Sequence, residues 1–168
     1  MSQNLEIERK FLIEKCQIPE KYIINKMDIV QIYLNDGLNG SQRRIRRITD
    51  DSGEKFFYTE KRFLSSVVRE ENETEISQGK FNALLNEKRA DCAEINKKRI
   101  RFDYLGQPFE LDIYPFSEHF AILELELASA SQEIFFPDFL NIIKEVTSDA
   151  GYSNAALCTA GKFPNEAL

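Results

Sequence analysis

Near the N-terminus the chain runs Glu6-Ile7-Glu8-Arg9-Lys10, and charges at strictly alternate positions leave such a segment few ways to fold. On a β-strand, successive side chains point to opposite faces, so Glu6, Glu8 and Lys10 share one face while Ile7, Phe11 and Ile13 take the other. A simple core strand would be greasy on that charged face. Here two carboxylates and an ammonium converge, and the rest of the chain must supply their partners.

The same habit recurs downstream. Ile29 to Asn35 sets Val30, Ile32 and Leu34 against Gln31, Tyr33 and Asn35. Arg43 to Ile48 carries Arg44 and Arg46 on one face, and after a turn at Asp50-Asp51-Ser52-Gly53 the run Lys55 to Lys61 aligns Phe57, Thr59 and Lys61. Val68 to Ile76 puts Arg69, Glu71, Glu73 and Glu75 in register, and Ile95 to Tyr104 aligns Lys97, Arg99 and Arg101. Phe109 to Tyr114 opposes Glu110 and Asp112 to Leu111 and Ile113, and Ala121 to Ala128 alternates Leu123, Leu125 and Leu127 with Glu124 and Glu126. Helices are expected at about Pro19 to Lys26, Gln78 to Lys88 and Ser131 to Glu145, the last interrupted by Pro137.

A solvated sheet face would explain any one of these strands. Together, the eight predict an α+β, mainly β fold: a closed eight-stranded antiparallel β-barrel whose charged faces line a tunnel and whose apolar faces are flanked by helices. The 168 residues, 42% hydrophobic and 30% charged, suit a single domain over 1–168. No window approaches the ~20 apolar residues of a membrane span, and the N-terminus lacks a basic-then-apolar signature, so a cytoplasmic protein without membrane association is expected. The net charge of -6 argues against a nucleic-acid partner. Cys16, Cys92 and Cys158 are widely separated and lack metal-ligand spacing, so reduced thiols are expected.

Carboxylates packed in a partly desolvated channel resist joint ionisation or demand a cation. A hard divalent ion, Mg²⁺ or Mn²⁺, takes one or two carboxylates plus phosphate oxygens and water, which makes Glu6, Glu8, Glu124 and Glu126 candidate ligands. Asp112 and Glu75 are candidates for a second ion or for holding basic residues in place. Arg44, Arg46, Lys61, Lys97 and Arg99 offer forks and point charges to a highly anionic ligand. Carboxylates, a hard metal and a ring of cations together point to polyphosphate.

The ordered set E-x-E-x-K (Glu6, Glu8, Lys10), R-x-R (Arg44, Arg46), T-x-K (Thr59, Lys61), K-x-R (Lys97, Arg99), Asp112 and E-x-E (Glu124, Glu126) resembles the CYTH superfamily, the triphosphate tunnel metalloenzymes. The resemblance spans roughly Leu5 to Leu157 and implies an eight-stranded tunnel that binds a triphosphate and a divalent metal. The openings Glu6 to Leu12 and Gln31 to Leu34 are most similar to short bacterial members that hydrolyse inorganic triphosphate. There the first-strand lysine and second-strand tyrosine form a catalytic dyad, which would be Lys10 and Tyr33 here. A cation-rich channel is expected to lower Lys10 toward general-base range.

Two stretches depart from the family pattern. Its R-x-E-x-E strand is matched by Glu71-Asn72-Glu73-Thr74-Glu75, without the basic residue unless Arg69 supplies it, and near the C-terminus only Tyr152 and Asn154 remain of a more basic segment. The expected activity is metal-dependent hydrolysis of inorganic triphosphate to diphosphate and phosphate. A class IV adenylyl cyclase, a thiamine triphosphatase and a non-catalytic polyphosphate- or nucleotide-binding module share the tunnel and stay open as alternatives. A homodimer could cover outward apolar residues such as the Phe-rich run Ile134 to Phe139.

Overall fold

The computed structural model describes residues 5–65 and 68–164, with the side chain of Leu5 left aside. Nine strands form one antiparallel sheet: β1 (Leu5–Glu14), β2 (Ile23–Tyr33), β3 (Gln42–Asp50), β4 (Gly53–Phe63), β5 (Val68–Ile76), β6 (Ile95–Tyr104), β7 (Gln107–Ile113), β8 (Phe120–Glu126) and β9 (Ile142–Glu145). Their order is β5-β4-β3-β2-β6-β7-β8-β1-β9, and a further β5–β1 pairing closes eight of them into a barrel. Strand β1 is the seam. It pairs with β8 along Glu8 to Glu14, with β5 through Leu5 to Ile7, and with β9 through Phe11 to Ile13.

Closure sends the charged faces inward and the apolar faces out, and those outer faces need cover. Over β2, β3 and β4, cover comes from α1 (Gln78–Leu84), which continues as a 3-10 turn over Leu85–Glu87. Ser77 caps its start by accepting a bond from the Lys80 amide, and Phe81 and Leu84 pack on Ile32, Leu34, Ile45 and Phe56. This is the helix expected at Gln78 to Lys88.

The other two expected helices are absent. Glu20–Tyr22 makes one 3-10 turn, and β2 starts at Ile23, because Ile23 to Ile29 already alternates in burial and pairs with β6. Ser131 to Glu145 is an irregular strap ending in β9. Pro137 lacks the N–H a helix needs, and the apolar residues fall at spacings that suit an extended ribbon. Ile134, Phe136, Phe139, Leu140 and Ile142 lie over Phe11, Ile13, Phe102, Phe109 and Leu123.

The barrel interior is polar over only part of its length. Beyond Lys10 the inward positions turn apolar: Leu12, Ile95, Tyr114 and Ile122 meet Tyr152, Leu157, Cys158 and Phe163 from the C-terminal segment. A short helix there, α2 (Asn154–Ala160), capped by Ser153 and ended by Gly161 in the left-handed region, was not anticipated from the sequence. The expectation of reduced thiols is corrected as well: Cys92, ahead of β6, is disulfide-bonded to Cys158 on α2, and Cys16 is free. The two partners lie 66 residues apart, and their proximity exists only once the barrel has closed. Among the described residues no helix is long and apolar enough to cross a membrane.

Candidate active site

The inward alternation of β1 presents Glu6, Glu8 and Lys10, and antiparallel register sets their neighbours. Glu126 of β8 lies opposite Glu8, Glu124 lies opposite Lys10, and Glu110 of β7 lies opposite Glu124. Across the tunnel, β3 supplies Arg44 and Arg46, β4 supplies Thr59 and Lys61, and β6 supplies Lys97 and Arg99. Strand β5 resolves the departure noted in the sequence. Its register places Arg69 opposite Glu6 and Glu71 opposite Lys61, so the inward face reads Arg69-x-Glu71-x-Glu73. The basic residue is present, two positions before the stretch Glu71 to Glu75.

Two connected cavities run through this interior. One of about 260 Å³ lies between the β4–β5 turn and residues 146–155, and is lined by Glu8, Lys10, Tyr33, Arg44, Lys61 and Arg69 among others. The second, of about 210 Å³, is walled by Glu6, Arg46, Glu71, Arg99, Glu110, Glu124 and Glu126. Glu8, Lys10, Arg44, Lys61 and Asn154 line both, so the two are lobes of one tunnel.

The charges are interlocked. Arg69 Nε donates to Glu6 Oε2 at 3.0 Å and its Nη2 to Glu8 Oε1 at 2.5 Å. Lys10 Nζ lies 3.2 Å from Glu124 Oε1 and 3.5 Å from Glu8 Oε1. Lys61 Nζ meets Glu71 Oε2 at 2.6 Å, and Arg46 pairs with Glu73, which also accepts from the Thr59 hydroxyl at 2.8 Å. Arg99 grips Asp112 with two bonds of 2.6 and 2.8 Å and reaches Glu124 at 3.2 Å. Beneath it, Lys97 donates to Asp112 at 2.6 Å.

These neighbours set the protonation states. Burial, helped by Glu71 and Glu8, pushes Glu6 up to about 7 against the pull of Lys61. Burial acts the same way on Glu71, but Lys61 and Arg44 outweigh it and bring that carboxyl down to about 2. Burial alone would depress Lys10, yet Glu124 and Glu8 overcome it and hold the ammonium above the usual lysine range. The expected drop toward general-base range is therefore reversed, because the nearest charges to Lys10 are carboxylates. Burial lifts the Tyr33 phenol, whose oxygen accepts from Gln31 Nε2 at 2.9 Å. Burial also lowers Lys97 to about 8.

Of the residues singled out in the sequence, Glu6, Glu8, Lys10, Tyr33, Arg44, Arg46, Lys61, Arg99, Glu124 and Glu126 come together on the cavity walls. Lys97 and Asp112 line neither cavity; they are fully buried behind Arg99. Glu75 is exposed near Phe57 and outside both cavities. Glu71 and Glu110 join the walls without having been named as site candidates, and so do Arg69 and Asn154, which the sequence offered only as remnants of the family pattern. Arg69, Glu71 and Glu110 were legible as inward positions of their strands, whereas Asn154 arrives on a helix with no periodic signal.

Among the described residues no three carboxylates close into a metal cage. A divalent ion that arrives with phosphate does not require one, since one or two carboxylates suffice beside phosphate oxygens and water. Glu8 and Glu126 are direct cross-strand partners with Glu6 next on the same face, and a carboxyl held near neutrality by burial is one that a cation would relieve. The donor set thus fits a hard ion carried in with its anion. On the cationic side, the buried Nε atoms of Arg44 and Arg46 have no hydrogen-bond acceptor, although such donors are normally satisfied in folded proteins.

No family model and no curated protein matches the chain. Solved structures do. The chain is 28% identical to the inorganic triphosphatase NE1496, over 92% of this chain and 94% of that one, with a TM-score of 0.57. A second structure of NE1496, described as a hypothetical protein, aligns over 95% and 99% with a TM-score of 0.59 and the same identity. PH1819 from Pyrococcus horikoshii OT3, at 19% identity over 74% of this chain and 80% of that one, shares the fold with a TM-score of 0.57. These likenesses bear out the resemblance to the CYTH superfamily and its tunnel fold.

Proposed function

We propose that this chain hydrolyses inorganic triphosphate to diphosphate and phosphate inside the tunnel, with Mg²⁺ or Mn²⁺ as cofactor, in a single domain over 1–168. The observation that carries the reading is the convergence of Arg44, Arg46, Lys61 and Arg99 with carboxylates of β1 and β8 on the walls of one cavity. The full-length likeness to an inorganic triphosphatase supports the same substrate class.

In this reading Arg44, Arg46, Lys61 and Arg99 hold the phosphate oxygens and take up the negative charge that develops as the anhydride breaks. Glu8 and Glu126, with Glu6 and Glu124, would hold the ion, which supplies charge neutralisation and a more acidic water when bound. Lys97 and Asp112 hold Arg99 in place from behind. Tyr33 keeps its proton and donates. Lys10 is an ammonium while Glu8 and Glu124 flank it, so it binds and orients the anion; to act as a base toward water it would first have to give up its own proton to solvent, which engagement of those carboxylates by the ion would favour.

The test is product analysis. Purified protein is given inorganic triphosphate, thiamine triphosphate or ATP, each with Mg²⁺, Mn²⁺ or EDTA. Metal-dependent release of equal phosphate and diphosphate, fastest on inorganic triphosphate, is expected. Pyrophosphate with cyclic AMP from ATP would make the chain a cyclase, and tight triphosphate binding without turnover would make it a sensor.

A further inference from the structure

Arg69 stands apart from the other tunnel cations in what it touches. Arg44, Arg46 and Lys61 pair with carboxylates of β5, and Arg99 with Asp112 and Glu124, whereas the Arg69 fork bridges both members of the first E-x-E pair, Glu6 at 3.0 Å and Glu8 at 2.5 Å. Lys61 and Lys10 reach the same two carboxylates only at 3.6 and 3.5 Å. The register explains the grip. Arg69 is the direct cross-strand partner of Glu6 at the narrow β1–β5 seam, and Glu8 is the next inward position on β1. On its other side Arg69 lines the larger cavity beside Lys61 and Arg44.

We propose that Arg69 is a built-in counter-ion that competes with the divalent metal for Glu6 and Glu8, so that metal binds weakly alone and tightly only when a phosphate group draws the guanidinium away into the adjoining cavity. This rests on the triphosphatase reading and assigns Arg69 a positioning and metal-gating role. A guanidinium and a divalent ion cannot both take the same carboxylate oxygens at full strength. Whatever removes Arg69 from them raises the affinity of the carboxylates for metal, and by linkage the metal and the phosphate then favour each other's binding. The consequence is an enzyme that does not hold free metal in an empty tunnel.

The experiment is titration of the whole protein with Mn²⁺ by calorimetry in phosphate-free buffer, for wild type, Arg69→Gln and Arg69→Lys. Arg69→Gln should bind Mn²⁺ about three- to tenfold more tightly than wild type, because the competing cation is gone. Arg69→Lys keeps the charge but cannot bridge both carboxylates, and should tighten binding by roughly two- to threefold. Tighter binding is a readout that mere structural damage would not give, since damage to the carboxylate wall weakens it. Unchanged or weaker Mn²⁺ affinity in both variants overturns the proposal. If thermal melting shows that Arg69→Gln does not fold, Arg69→Lys decides alone, tighter binding supporting the counter-ion role and equal or weaker binding ending it. A wild type that neither binds Mn²⁺ nor hydrolyses triphosphate would bring down the triphosphatase reading itself, whereas normal hydrolysis with unmoved Mn²⁺ affinity in the variants sinks the role of Arg69 only.

Discussion

Glu6 shows how a single carboxyl can tie activity and stability to pH in opposite senses. Its pKa is raised to about 7 in the fold, first by burial and then by Glu71 and Glu8. The folded state therefore holds this proton more tightly than the unfolded chain, and the stabilising contribution of Glu6 is full below its ordinary value and lost as pH rises through about 7. Metal binding needs the opposite form. Hydrolysis should fall as pH drops through about 7, and raising the Mg²⁺ concentration should move that acid limb to lower pH, because ion and proton compete for one group. A pH–rate profile at two metal concentrations checks this; a limb that ignores metal would take Glu6 out of the metal set. Asp112 poses a different residue-scale question. It is wholly buried and held by both Arg99 and Lys97, so Asp112→Asn should cost about 3–5 kcal/mol by leaving buried cations uncompensated. Lys97→Met, which leaves the Arg99–Asp112 fork intact, should cost clearly less. Urea denaturation of the two variants measures the difference.

At the scale of elements, the strands were legible and the irregular cover was not. The expected limits of β5 and β6 match the structure to the residue, because a period of two between turn residues is a local signal. The R-x-E-x-E assignment slipped by two positions, and only pairing with β1 and β4 fixes which carboxylates stand beside which cations. The strap before β9 reads as a helix in sequence because its apolar residues are frequent, while what they pack against lies in strands far away in sequence. Its value is testable. Phe136 meets Phe11 edge-on at 4.9 Å and Phe109 at 6.3 Å, whereas the neighbouring Phe135 is 52% exposed. Phe136→Ala should destabilise by about 2 kcal/mol, less than a fully buried ring, and Phe135→Ala should be near neutral. Equal losses in the two variants on thermal melting would mean that the strap does not seal the barrel in this way.

For the molecule as a whole, what ties the ends of the chain to the barrel decides how the site is held. The N-terminal strand is secured on both edges, but α2, which brings Asn154 to both lobes of the tunnel, is only seven residues long and comes from the far end of the sequence. A helix that short has little stability of its own and depends on tertiary contacts. Three kinds are present: packing of Leu157, Tyr152 and Phe163 in the apolar end of the barrel, the Cys92–Cys158 disulfide, and hydrogen bonds, the Tyr114 hydroxyl donating to Asn154 Oδ1 at 2.6 Å and the Ala93 amide to the Cys158 carbonyl at 3.0 Å. The disulfide spans 66 residues and encloses β6 through β9, so constraint of the unfolded chain sets its contribution at about 2–4 kcal/mol. For a chain of this length that amounts to a fall in Tm of about 5–15 °C in the Cys92→Ser/Cys158→Ser double variant. Adding a dithiol reductant should lower wild type toward the same Tm and leave the double variant where it is. Should the variant melt with wild type and the reductant move neither, apolar packing and hydrogen bonds hold α2 without the disulfide, and the tunnel end would then be insensitive to redox conditions. A Tm that falls in both arms would mean that the end of the tunnel carrying Asn154 is stapled by a reducible bond.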